Sequence, residues 1–385
     1  MIQVEVPGGS DQISNRQCAR GIDFDRDVFC LMGLPIDAAG MDDAVRLVRH
    51  AAQSHSRCFV STPNLNFVIA AQHDVIFRDS LVHSDLSLAD GMPLVWVALL
   101  LGVPIRSRVS GAGLFEQLEC QTGTPVTVFF FGGPAGAAEA ACIQVNRRSG
   151  GLKCVGFEAP GYGSLEGMSD PSRIDKINRS GAQFVVVALG AKKGQAWIEH
   201  NRASLRAPVL CHLGAVVNFS AGTLRRAPTW VQQVGAEWIW RISQEPNLLP
   251  RYWSDGVSFL AMLLCQVLPL AVHLRIHAPS RDELERASIA VFESQQQTTF
   301  EMRGAWTHAN LTPLRRALSR AIERSATLVI DLTSVSYVDS AFLGLLMLAH
   351  GAWGGARRFA LRGASPRVAN VFKQCGVAFM LDGCE

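Results

Sequence analysis

The residues best placed for chemistry stand at the ends of two short apolar runs. Phe59-Val60-Ser61-Thr62-Pro63-Asn64 stops abruptly at polar, turn-forming residues, and Leu86-Ser87-Leu88-Ala89-Asp90-Gly91 repeats the pattern. Each run then gives way to a helical spacing of apolar residues. In an open parallel sheet such loops gather beyond the carboxyl ends of the strands, where helix N-termini converge and ligands bind. The spacing therefore puts Thr62, Asn64 and Asp90 in one crevice, with Asp90 the sole carboxylate of the three.

Two other stretches could hold phosphate. In Phe129-Phe130-Phe131-Gly132-Gly133-Pro134, Gly132 and Gly133 let backbone approach a phosphate ahead of a helix N-terminus, and a tight turn explains the same residues. The full Gly-x-Gly-x-x-Gly fingerprint and its ribose-binding acid are missing, which argues against a nucleotide-dependent oxidoreductase. Further on, Arg225, Arg226, Arg241 and Arg251 are interleaved with Trp230, Trp238, Trp240 and Trp253. They read either as a phosphate grip beside an apolar surface or as the solvated face of an amphipathic helix.

The elements that must position these groups alternate along the chain. Apolar runs at 28–32, 57–61, 86–89, 126–131, 153–157, 183–189 and 208–213 are separated by amphipathic stretches of helical length. That alternation predicts an α/β fold, a doubly wound and mainly parallel sheet of six or seven strands joined by right-handed crossovers. Residues 257–272 are the most apolar window, too short to span a membrane and interrupted by Gln266 and Pro269. They fit a helix packed between domains or one lying in a membrane interface with Arg251, Arg275 and Arg281 at its ends. Composition shifts near Pro279, and a second alternation of strand and helix follows.

Bulk properties narrow the classes. A length of 385 residues allows more than one domain, and a net charge of +3 without a dense basic run gives no footing for nucleic acid. Asp23, Asp25 and Asp27 have a spacing that can hold a divalent metal, but they precede the first apolar run and read as a solvated tail. The ten cysteines are scattered without a Cys-x-x-Cys pair, which predicts buried free thiols in a reducing compartment. No signal peptide opens the chain, so a cytoplasmic location is expected.

Several blocks in order give a resemblance. Thr62-Pro63-Asn64, Ala89-Asp90-Gly91 with Trp96, Arg108-Val109-Ser110-Gly111, Phe131-Gly132-Gly133, Arg226-Ala227-Pro228-x-Trp230, Gly235-Ala236-Glu237-Trp238 through Arg241, and Glu245-Pro246 resemble the WecG/TagA/CpsF family of bacterial glycosyltransferases over residues 28 to about 256. The resemblance implies inverting, metal-independent transfer of an N-acetylhexosamine, uronic acid or related sugar. The donor would be a nucleoside-diphosphate sugar and the acceptor a polyprenyl-diphosphate-linked saccharide at the inner face of the cell membrane, in exopolysaccharide or capsule assembly. It casts Asp90 as the base, Thr62, Asn64, Gly132, Gly133 and Gln195 as substrate-binding, and Arg225, Arg226, Arg241 and Arg251 as partners of diphosphate, with no cofactor. The family's Gly-x-Pro-x-Gln-Glu-x-Trp appears here as Gly190-Ala191-Lys192-Lys193-Gly194-Gln195-Ala196-Trp197. Gly194 thus stands at the glutamine position, Gln195 at the glutamate, and Asn218 where an aspartate is common.

The second unit resembles a STAS domain through Leu328-Val329-Ile330-Asp331-Leu332, Val338-Asp339-Ser340, Leu343-Gly344-Leu345-Leu346 and Pro366-Arg367-Val368. This implies a protein-docking module, with Ser340 at the phosphorylated serine of regulatory members; a helix N-cap explains Ser340 equally well. The expected organisation is a flexible arm 1–27, a transferase core 28–224, a basic and apolar appendage 225–282, and a STAS unit 283–385 with its own core. A chain ending at residue 282 is then expected to keep transfer activity. The rival reading is a non-catalytic scaffold with a degenerate transferase fold, acting through the STAS unit.

Overall fold

The computed structural model describes residues 22–381 apart from 162, 234, 295 and 356. β1 (Val28–Leu31) and β2 (Leu34–Asp37) form an antiparallel hairpin. β3 (Cys58–Ser61), β4 (Leu86–Ser87), β5 (Val126–Gly132), β6 (Leu152–Glu158), β7 (Phe184–Ala188) and β8 (Val209–His212) pair side by side in the order β4-β3-β8-β7-β5-β6, all parallel. β7 shows why: Phe-Val-Val-Val-Ala is buried at every position, as a strand covered by helices on both faces must be. One face packs residues such as Val48, Leu114, Val145 and Val217, and the other packs Ile177, Trp197 and Ile198. A second sheet runs β12-β11-β10-β9, from β9 (Ser288–Glu293), β10 (Gln297–Trp306), β11 (Thr327–Val338) and β12 (Phe359–Arg362), with β9 the antiparallel edge. The α/β class is as expected.

The first apolar run departs from expectation. It leaves the six-stranded sheet and builds the hairpin, which lies between the two sheets' domains. The expected loose arm is likewise anchored from Ile22 on: Phe24 is 1% exposed, and Arg26 pairs with Asp37 at 2.7 Å. Residues 1–21 lie outside the described ones. Asp37 also accepts the Ser87 amide at 2.6 Å, and Arg26 donates to the Ser84 carbonyl at 2.7 Å, fastening the hairpin to β4.

The hairpin's other side is fastened to the second domain. In the helix Ser340–Ala352 every residue but Gly351 is buried. A Cβ on Gly344 would stand 2.6 Å from the Val28 carbonyl oxygen, so only glycine lets β1 lie this close. Ser340 Oγ donates to the Cys30 carbonyl at 2.7 Å, and Arg315 donates to the carbonyls of Phe24 and Arg26 at 2.9 and 2.5 Å. One apolar core runs from Phe29 and Leu31 through Phe342 and Leu346 to Trp353. The unit expected at 283–385 therefore shares its core with the hairpin instead of keeping one of its own.

Two local expectations also change. Pro269 does not end the apolar helix, which runs unbroken over Pro246–Ile276, 31 residues, and is long and apolar enough by composition to cross a membrane. A π-turn at Leu263–Val267 stands just before the proline and takes up the lost backbone hydrogen bond. Met262, Val267, Leu270 and Ala271 bury one face of this helix, while Trp253, Val257, Leu260, Leu264 and Val272 are more than half exposed on the other. The buried face agrees with the reading of a helix packed between domains, and the other face is left as an exposed apolar stripe. Cys142 and Cys154 form a disulfide, contrary to the expectation of free thiols, because helix Ala137–Arg148 packs on β6 with their Cα atoms 5.2 Å apart.

Candidate active site

Parallel pairing of β3 with β4 brings the two starting loops together. Backbone bonds lock them: Leu88 N–H to the Ser61 carbonyl at 2.9 Å, and Asp90 N–H to the Pro63 carbonyl at 2.8 Å. Asp90 follows β4 by three residues, and its carboxylate accepts the Gly111 amide at 3.3 Å, at the start of helix Gly111–Glu119. Thr62 Oγ1 is 3.2 Å from where a Cβ on Gly111 would sit. Thr62, Asp90 and Gly111 thus converge at the strand ends.

The electrostatics of the cleft centre on Asp90. Burial pushes its pKa up to about 6, against the pull of Arg108, the Gly111 amide and Arg226, with Glu237 adding to the rise. Arg108 pairs with Glu237 at 2.5 Å, their side chains 15% and 28% exposed. Burial works against the Arg108 charge, but the Glu237 hydrogen bond and attraction outweigh it and hold its pKa above the ordinary value. For Arg226 burial prevails and lowers the pKa; it pairs with Glu116 on the helix that Gly111 begins. A carboxyl ionised near neutrality, flanked by two guanidinium groups, can take a proton from a hydroxyl while the arginines meet developing negative charge.

The other expected site residues divide. Asn64 caps helix Leu65–His73 through its Oδ1 and the Phe67 amide at 3.3 Å. Gly132 and Gly133 have φ of +96° and +90°, and a Cβ on Gly132 would meet the Ala188 carbonyl oxygen at 2.7 Å. Close approach to β7 accounts for that glycine without a ligand. Gln195 is wholly buried and donates to Ser61 Oγ at 2.9 Å, while its Oε1 has no hydrogen-bond partner among the described residues. Arg241 pairs with Glu245 one turn on at 3.1 Å, Arg251 lies over the Tyr252 ring at 5.1 Å, and Arg225 is exposed at the appendage. Of the four arginines, Arg226 is the one whose charge reaches Asp90. Ser340, expected to take phosphate, is 4% exposed with its hydroxyl committed to Cys30, which closes it to a kinase in this arrangement.

Arg108 and Glu237 stand in the family blocks, but the sequence alone assigns them no role. Their pairing spans 129 positions, and charge alone could not reveal it. His212, at the end of β8, also escapes sequence reasoning. A Cβ on Gly194 would stand 2.2 Å from His212 Cδ2, so the imidazole fills the space that a side chain at Gly194 would claim. Burial drops the His212 pKa to about 4, leaving a neutral ring at physiological pH. Among the described residues no cluster of three or more His, Cys, Asp or Glu side chains is placed to hold a metal ion.

Comparison with known proteins gives two family matches. The model for the Glycosyl transferase WecG/TagA/CpsF family matches residues 29–272, and that for the Mlab, STAS domain matches 289–382. Two curated relatives are both named N-acetylglucosaminyldiphosphoundecaprenol N-acetyl-beta-D-mannosaminyltransferase. The one from Bacillus spizizenii is 28% identical over 190 residues, covering 49% of this chain and 72% of the relative. The one from Bacillus subtilis is 25% identical over 202 residues, covering 52% and 77%. Among solved structures, the anti-sigma factor antagonist SpoIIAA in its unphosphorylated form matches 24% of this chain and 85% of its own, at 21% identity and a TM-score of 0.23. The phosphorylated form of SpoIIAA, a Bacillus cell fate determinant, matches 24% and 88%, at 19% identity and a TM-score of 0.22.

Proposed function

The chain belongs to the WecG/TagA/CpsF family of glycosyl transferases, and from that premise we propose that it moves an N-acetylhexosamine-type sugar from a nucleoside diphosphate to a saccharide carried on polyprenyl diphosphate. The observation that carries this reading is the Asp90 carboxyl, its pKa raised to about 6 at the strand ends between Arg108 and Arg226. The acceptor class and N-acetylmannosamine as the first donor sugar to try come from the names of the two curated relatives.

In the proposed step the acceptor hydroxyl oxygen attacks the anomeric carbon from the side opposite the diphosphate. The new carbon–oxygen bond forms as the bond to diphosphate breaks, and the departing diphosphate keeps that electron pair. Asp90 receives the hydroxyl proton; a base with pKa near ambient pH is both ionised and basic enough to do so. Arg108 and Arg226 stabilise the leaving charge, and Thr62 orients a sugar hydroxyl. Configuration at the anomeric carbon inverts.

The acceptor's lipid calls for a membrane surface. The exposed face of helix Pro246–Ile276 supplies an apolar stripe, with Trp253 at one end and Arg275 near the other. Trp238 and Ile239, half exposed beside Glu237, extend it towards the cleft. An apolar face flanked by basic residues suits a helix lying in the membrane interface, here the inner face of the cell membrane. Any protein partner of the STAS domain would use a surface other than the start of helix Ser340–Ala352, which the hairpin covers.

The test is transfer from a panel of nucleoside-diphosphate sugars to a prenyl-diphosphate N-acetylglucosamine acceptor, in vesicles and as a short-chain soluble analogue. Wild type should turn over one of these donors, and Asp90→Asn should lose on the order of a hundred- to ten-thousand-fold in kcat with donor affinity kept. Full turnover by the asparagine variant would remove Asp90 from the chemistry.

A further inference from the structure

The two arginines that face Asp90 are not free to receive a ligand. Arg108 is held by Glu237 at 2.5 Å and Arg226 by Glu116. With Asp90 ionised, the cleft already carries three negative groups against two positive ones. A nucleoside diphosphate adds at least two further negative charges, so entry beside an intact Arg108–Glu237 pair would be opposed. The two carboxylates also differ in setting. Glu116 is 57% exposed and stays near water, whereas Glu237 is 28% exposed and its charge reaches Asp90, Arg108 and Arg226 alike.

Glu237 is also the first residue of its own helix, Glu237–Gln244, in the appendage, with Trp238 and Ile239 exposed directly after it. Gly235, two residues ahead of this helix, has φ +74°. The carboxylate that neutralises Arg108 is therefore delivered by a short peripheral element with no buried residue among its eight. A half-buried guanidinium without a counter-anion is costly, and a carboxylate on a lightly packed helix is a replaceable one.

On the premise of the transferase reading, we propose that Glu237 is a stand-in anion, occupying on Arg108 the place that the donor's diphosphate takes when it binds. Diphosphate and Glu237 compete for one guanidinium. Binding frees the helix Glu237–Gln244 from the cleft, and departure of diphosphate lets it return. The device keeps Arg108 charged and positioned between turnovers, and it weakens the grip on the nucleoside-diphosphate product. Glu237 thus acts through Arg108 and is a positioning residue, not one that touches the reacting atoms.

The experiment is titration of inorganic diphosphate into the full chain by calorimetry, in wild type, Glu237→Gln and Arg108→Ala. Removing the competitor should tighten diphosphate binding about tenfold or more in Glu237→Gln, and Arg108→Ala should bind at least tenfold more weakly than wild type. A residue that merely braces the fold would give the reverse, weaker binding with a lowered melting temperature. If Glu237→Gln does not fold, Glu237→Asp takes its place, its carboxylate withdrawn by one methylene, with the same direction and a smaller factor. Wild-type binding that is unchanged or weakened by the substitution overturns the competition and leaves the transferase reading standing. No diphosphate binding in either protein overturns both.

Discussion

The crevice and the joint between the domains are both narrow, and glycine shapes both, yet their contents are opposite. At the joint, Gly344 lets β1 press onto helix Ser340–Ala352, and what fills the space is Phe29, Phe342 and a hydroxyl committed to a carbonyl. In the crevice, Gly111 lets Thr62 and Asp90 converge, and what fills the space is a carboxyl with a raised pKa and two guanidinium groups. At the joint the Ser340 hydroxyl and the Arg315 guanidinium are committed to backbone carbonyls of the segment they cover, whereas the crevice keeps unlike charges close together, as a site that meets a charged ligand would. The contrast reverses the division of labour suggested by domain order, since the second domain is the part built for rigidity.

The largest effect that comparison predicts comes from removing the joint's outer half. A chain ending at residue 282 uncovers Phe29, Cys30 and Leu31 on the hairpin, all 3% exposed or less. The hairpin in turn holds β4 through Asp37 and Ser87. Loss of cooperative thermal unfolding is expected, followed by aggregation. A sharp melt near that of the full chain would show that the two domains are separable after all.

Next in size is a charge placed in the dry joint. Ser340→Asp sets a carboxylate against the Cys30 carbonyl, acceptor against acceptor, at a cost of roughly 3 kcal/mol or more. Ser340→Ala loses only the hydrogen bond, about 1 kcal/mol. Denaturant midpoints of the two variants read the difference. Equal midpoints would mean that the joint opens to water there, and would return Ser340 to consideration as a modification site.

A smaller effect tests packing at the crevice's rear wall. Gly194→Ala drives a methyl into the His212 ring and should cost roughly 1–3 kcal/mol. Adding His212→Ser in the same chain should recover part of that loss, since the two positions share one space. Non-interacting, additive effects would mean that the glycine is there for another reason.

These sites also mark how far the sequence could be read. Strand-to-helix alternation placed the strands from β3 to β8 and the crevice, because a fully buried strand such as Phe184–Ala188 must be continuously apolar. Asp90 was legible for the same reason, as a carboxylate where such a run stops. The hairpin was not: four apolar residues look alike whether they enter a sheet or cross to another domain, and Gly344, which decides the matter, is 316 positions from Val28 by chain numbering. Arg108 and Glu237 were hidden by distance along the chain as well. The run through Pro269 was hidden because a π-turn has no sequence signature of its own, and the full burial of Gln195 was hidden because burial cannot be read from a polar letter.

The smallest predicted effect belongs to Asp90, and it runs against intuition, since disabling the proposed base should stabilise the fold. The folded carboxyl has a pKa of about 6 against an ordinary 3.8, with burial the leading cause. Below the ordinary value both states hold the proton, and the group costs nothing. As pH rises from there the unfolded chain gives up its proton while the folded one retains it, so stability falls, and above about pH 6 the full penalty is present. Asparagine can still accept the Gly111 amide through its carbonyl oxygen, more weakly, but carries no charge. Asp90→Asn should therefore exceed wild type in unfolding free energy by on the order of 1 kcal/mol at pH 8, a value discounted for the partial exposure of the group. The advantage should shrink through pH 6 to 4 and vanish below. Urea unfolding of both proteins at pH 8, 6 and 4 measures it; a variant no more stable than wild type at pH 8 would mean that the crevice does not strain its carboxylate, and the contrast with the joint would lose its basis.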